Sequence, residues 1–178
     1  YMLASSAALA FLSFPRMGRA QAPGAIELGM DALLAVTSVD QPRTSSITTF
    51  DFPVQAFRMG FGLTPRISLE PTLGIHTSSG DGSFHSVTFD LGVPIELAKG
   101  GSPGSDYFLR PLIGLRSFSV EGSSSTQTSL GIGIGARVPI IPRLAARFEA
   151  RYRRGFKNDN FAAFDEFGLL GGLSFFTR

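Results

Sequence analysis

From Pro23 onward the chain repeats with a period of two, and this alternation restricts its possible folds more than any other feature. In residues 86–98 (SVTFDLGVPIELA), Val87, Phe89, Leu91, Val93, Ile95 and Leu97 share one parity. Thr88, Asp90, Gly92, Pro94 and Glu96 share the other. A helix turns by about 100° per residue and would scatter both sets around its circumference, whereas an extended strand separates them onto opposite faces. The same pattern sets Ile26, Leu28, Met30, Ala32, Leu34 and Val36 against Glu27, Gly29 and Asp31. It recurs in Ile67 to His76, Tyr107 to Arg116, Leu130 to Val138, Leu144 to Arg153 and Glu166 to Ser174, although Phe108 and Leu112 blur the second of these.

Read in this way, the chain predicts eight strands, at roughly 25–37, 45–63, 67–78, 84–98, 106–120, 126–139, 143–156 and 163–177. Most reach the ~9–11 residues that a tilted strand needs to cross a bilayer. One strand changes phase: Phe50, Phe52 and Val54 are apolar at even positions, and Phe57, Met59, Phe61 and Leu63 at odd ones. A bulge between Pro53 and Phe57 would repair the register, and proline is tolerated at such a point. The connections Thr64-Pro65-Arg66 and Ile140-Ile141-Pro142 are tight, and Lys99 to Ser105 is longer and rich in Gly and Ser. With an even strand number, these three lie at the end where the chain starts and finishes. Ser38 to Thr44, Thr77 to Ser83, Glu121 to Ser125 and Lys157 to Ala162 then face outward.

One stretch does not alternate. Leu3 to Phe14 (LASSAALAFLSF) is apolar throughout, too short for a membrane helix and suited to the core of a signal peptide. Ala20-Gln21-Ala22 supplies the small residues of a cleavage site. The expectation is a signal peptide over residues 1–22, truncated at its N-terminus because no basic stretch precedes Leu3. A single β domain over 23–178 follows. Of the 16 basic residues, Arg16 and Arg19 fall in the leader, which leaves 14 against 14 acidic ones. A neutral mature chain has no basic stripe for nucleic acid. With 21 Gly, 17 Phe and only 17% charged residues, the composition suits strands with one face in lipid. Apart from helices, only a closed barrel satisfies every backbone group inside a membrane.

These features, together with the closing segment Gly168-Leu169-Leu170-Gly171-Gly172-Leu173-Ser174-Phe175-Phe176, make the chain resemble the eight-stranded outer-membrane β-barrels of the OmpA-like and OmpX-like porin families. The final Thr177-Arg178 departs from their usual aromatic ending. The resemblance implies an all-β, closed, antiparallel, up-and-down transmembrane barrel in the bacterial outer membrane. It also implies a monomer surrounded by lipid and lipopolysaccharide and inserted by the barrel-assembly machinery.

If the apolar parity faces lipid, the other parity lines the barrel. The candidate interior cluster is Arg58, Glu70, Asp90, Glu96, Arg110, Arg116, Arg137, Arg147, Glu149 and Arg151, accompanied by Glu27, Asp31, His76, Arg153 and Glu166. An eight-stranded barrel is only wide enough for side chains to fill it, and buried charges must pair, so a salt-bridged plug without an open pore is expected.

No catalytic, cofactor or metal site is expected. Adjacent strand residues point to opposite faces, so His85 and Ser86 are poorly placed as an acyl-transfer pair. Their spacing also departs from the His, Ser and Asn pattern of lipid A deacylase barrels. Two His and no Cys argue against zinc. Gly131-Ile132-Gly133-Ile134-Gly135 sits within an alternating strand and not at a strand–turn–helix junction, so it is no nucleotide loop. Two other readings remain: a soluble periplasmic lipocalin-like barrel, with Val87, Phe89 and Leu91 inside and Arg147 and Glu149 in water, and a lipid A-modifying enzyme.

Overall fold

The computed structural model describes residues 23–39, 47–78, 84–99, 105–120 and 123–177. The expected signal segment and parts of the outer loops lie outside this set. The strands are β1 (Ile26–Val39), β2 (Ile47–Gly62), β3 (Ser68–Ser78), β4 (Phe84–Gly92), β5 (Ile95–Lys99), β6 (Asp106–Val120), β7 (Ser123–Ile141), β8 (Leu144–Gly155) and β9 (Phe164–Phe176). They form one antiparallel sheet in the order β4-β3-β2-β1-β9-β8-β7-β6-β5. Pairing of β4 with β6 closes it on itself. Closure removes the sheet edges, which a membrane could not solvate.

Nine strands make eight staves, because β4 and β5 are two pieces of one. The expected strand 84–98 is broken at Val93-Pro94, where proline has no N–H for the ladder. The register continues across the break, with Gly92 opposite Leu112 and Ile95 opposite Leu109. Val93 N donates to Pro111 O at 2.9 Å, and the Pro94 carbonyl accepts from Ser68 N at 3.0 Å.

The phase change in β2 is resolved by a bulge. Asp31 faces Ala56 and Leu33 faces Asp51, so one residue of β1 stands against the four residues Phe52 to Gln55. The odd excess flips the parity and puts Phe50 across from Leu34, in the row where Met59 faces Leu28. The ladder between β2 and β3 ends at the pair Ala56–Gly74.

A second bulge corrects the expected turn at 140–142. Pro139 faces Ala145 and Ile141 faces Leu144, which leaves Ile140 as the extra residue. Ile140 and Ile141 therefore belong to β7, and both are about half exposed. The hairpin is the pair Pro142-Arg143, with Arg143 at φ 71° in the left-handed region.

The apolar parity faces outward around the circumference. Leu28, Phe57, Val87, Phe89, Ile132, Phe148 and Phe167 are all exposed. Arg147 and Glu149 are 2% and 3% exposed, which overturns the lipocalin-like alternative. The two ends of the described chain meet at one end of the barrel: Gly24 N donates to Gly62 O, and Thr177 N donates to Ile26 O. The turn at 63–67 and the Pro142-Arg143 hairpin lie at the same end.

Candidate functional site in the barrel interior

Strand parity alone points the long polar side chains at the axis; tertiary register decides which of them meet. Toward the end where Gly24 and Thr177 lie, four arginines and four carboxylates form one connected set. Arg147 grips Glu70 as a fork, with Nη1 at 2.6 Å and Nη2 at 3.1 Å, and its Nη2 also reaches Glu149 at 2.7 Å. Arg110 Nε lies 2.6 Å from Glu70 Oε1, the oxygen that Arg147 Nη2 also reaches. Arg58 binds Asp31 through Nε and Nη2 at 2.9 and 3.2 Å and also pairs with Glu27. Arg137 Nη2 reaches Glu27 at 3.0 Å. Ser174 accepts from Arg58 at 3.1 Å and donates to Glu27 at 2.6 Å, tying the last strand to the first.

Two further features let this set pack. Phe108, fully buried on β6, is stacked by guanidinium carbons of Arg137 at 4.8 Å and Arg147 at 4.4 Å from its ring centre. Such cation–π contacts offset part of the desolvation of a buried cation. Glycines on neighbouring strands make room. A Cβ at Gly29 would strike the Arg58 guanidinium, one at Gly92 that of Arg110, and one at Gly133 the Glu149 carboxylate.

Toward the opposite end the described residues leave part of the interior unfilled. A cavity of about 790 Å³ opens there. Its lining includes apolar residues, among them Leu33, Ala35, Val39, Ala56 and Leu170, and an ionic group of Asp90, Arg116, Arg151, Arg153 and Glu166. Arg116 pairs with Glu166 at 3.0 Å and Arg151 with Glu166 at 2.9 Å. Arg153 pairs with Asp90. The floor of the cavity is the upper surface of the first set, including Asp31, Arg58, Arg110, Arg147 and Glu149.

Part of the last loop folds over the mouth. Gln127 Nε2 donates to the carbonyls of Phe156 at 3.0 Å and Ala162 at 2.8 Å, and Asn158 Nδ2 to that of Thr126 at 2.7 Å. Asn158 Oδ1 accepts from the backbone of Asn160 and Phe161, closing an Asx-type turn. Phe161 then packs on Phe118 with ring centres 4.8 Å apart, and the Arg116 guanidinium lies over Phe164 at 5.3 Å.

The interior residues named from sequence are thus divided. Arg58, Glu70, Arg110, Arg137, Arg147 and Glu149 join the inner set; Asp90, Arg116 and Arg151 join the outer one. Glu96 lies on β5, half-buried and opposite Phe108. His85 and Ser86 occupy opposite parities of β4, and Ser86 lines the cavity. In the ladder it is His76 of β3 that lies across from Ser86. The glycines at 131, 133 and 135 lie within β7. Sequence reasoning missed Phe108, Leu170, Leu33 and Gln127. The first three were legible as apolar residues at inward parity; the role of Gln127 depends on where the loop returns.

No family model matches this chain, and no curated protein matches its sequence. Its fold does match solved structures. Neisserial surface protein A superposes with TM-score 0.66 at 18% identity, over 85% of this chain and 98% of that one. The outer membrane protein OprG of Pseudomonas aeruginosa gives 0.56 at 8% identity, over 89% and 98%. Ail, the attachment invasion locus protein of Yersinia pestis, gives 0.50 at 15% identity, over 86% and 99%. The fold is that of the eight-stranded outer-membrane β-barrels, and the apolar belt around it fits that location.

Proposed function

We propose that this chain is an integral outer-membrane barrel with a structural or small-solute role, sealed toward the chain ends by its ionic cluster and open at the other end as a blind vestibule. The observation that carries this reading is the Glu70 carboxylate. It is fully buried and held by guanidinium groups from β8, β6 and β2, that is, from several sides of the barrel wall at once. Charged groups knitted across the axis of an eight-stranded barrel leave no continuous water path. The exposed aliphatic and aromatic side chains then meet outer-membrane lipid and lipopolysaccharide, and the barrel-assembly machinery inserts the closed sheet as a monomer. The role is not catalytic. Its charged residues pair with each other and hold the strands in place.

Planar-bilayer recording tests this reading. The wild-type protein, shown to be folded by mobility that changes on boiling, should be electrically silent. A variant with Arg58, Glu70 and Arg147 all replaced by Ala should show discrete conductance steps. Steps from the wild type would sink the sealed-interior reading.

A further inference from the structure

The two ionic sets differ in charge balance. The inner one is neutral, with Arg58, Arg110, Arg137 and Arg147 against Glu27, Asp31, Glu70 and Glu149. In the outer one, among the described residues, three guanidiniums, of Arg116, Arg151 and Arg153, form ion pairs with the two carboxylates of Asp90 and Glu166. Within this described set one positive charge is left over, and all five side chains line the cavity. The Nε–H groups of Arg151 and Arg153 have no hydrogen-bond acceptor among the described residues. An uncompensated cation in a water-poor interior is costly, and an anion brought beside it recovers that cost. The lining also carries aliphatic surface from Leu33 and Ala35 of β1 and from Leu170 of β9, the strand that bears Glu166. A volume near 790 Å³ is within the range of small-molecule sites, roughly 300–1,000 Å³.

We propose that the vestibule binds a single-chain carboxylate amphiphile, its head at Arg116 and Arg151 and its tail against the β1 and β9 wall. This deepens the preceding reading and rests on its vestibule, not on the seal beneath it. One carboxylate matches one surplus guanidinium; a phosphate monoester, at about −1.5 to −2, would bring excess negative charge beside Asp90 and Glu166. A neutral or cationic amphiphile would leave the charge unanswered, and acetate would leave the aliphatic wall exposed.

The test uses the folded protein in phosphatidylcholine nanodiscs with decanoate labelled with ¹³C at its carboxyl. A bound carboxyl resonance absent from empty discs is expected. It should be displaced by unlabelled decanoate, by decyl phosphate only at higher concentration, and by neither decanol, decyltrimethylammonium nor acetate. Arg116→Gln should weaken binding about tenfold, and Glu166→Gln, which removes a competing carboxylate, should tighten it several-fold. Should Arg116→Gln lose its heat-modifiable mobility, Glu166→Gln decides alone. Absence of a bound resonance, equal displacement by decanol, or an unchanged affinity in a folded variant would overturn the proposal. Conductance separates the two readings: a conducting wild type that still binds decanoate refutes the seal and leaves the head-group site, whereas a silent one that binds none refutes the site alone.

Discussion

Toward the chain ends, four arginines and four carboxylates occupy the cross-section of the barrel, with Phe108 sandwiched between two of the arginines. Toward the other end, three arginines share two carboxylates and face a cavity. Both regions use the same residue types on the same strand parity. They differ in what stands opposite. In the inner region large groups meet glycines, such as Arg58 at Gly29 and Glu149 at Gly133, so long side chains interlock. In the outer region the facing wall is Ala35, Ala56 and Gly74, too small to fill the space. Complementary size, more than charge, decides where the interior side chains interlock.

The largest expected effect breaks the inner set. Glu70→Ala removes the carboxylate shared by Arg58, Arg110 and Arg147, leaves the inner set with one unbalanced positive charge, and should cost about 3–5 kcal/mol, read as a fall in the urea midpoint in lipid vesicles. A smaller loss would mean that the inner arginines find water, and that the contrast between the two regions is weaker than drawn. Gly133→Ala places a methyl where Glu149 now lies and should cost about 1–3 kcal/mol by overpacking. A neutral result would show that Glu149 can move without consequence. Leu170→Ala, in the vestibule wall, should cost no more than about 1 kcal/mol, because this half-buried side chain faces an existing cavity and not packed neighbours. A cost equal to that of Gly133→Ala would show that the outer half is packed after all.

Much of this fold was legible in the chain. The stave boundaries fall within a few residues of those read from alternation, and the bulge expected between Pro53 and Phe57 is found in β2 slightly earlier, over Phe52 to Gln55. Where the reading failed, a local event overrode periodicity. Pro94 split one strand without shifting its register, and the bulge at Ile140 moved the last hairpin to Pro142-Arg143. Phe108 and Leu112 looked like noise in the alternation of β6. They are inward residues that happen to be apolar, buried at 0% and 5% exposure.

By itself the sequence determined parity, because successive side chains of an extended chain point to opposite sides whatever surrounds them. It therefore set which residues face lipid and which face the axis. Only the closed barrel decided the partners. Arg147 and Glu70 lie 77 positions apart, and Arg58 and Ser174 lie 116 apart. Their meeting depends on how far each stave slides past the next as the sheet closes. That slide brings eight charges into balance at one end and leaves three arginines with two carboxylates at the other, a difference that no local pattern encodes.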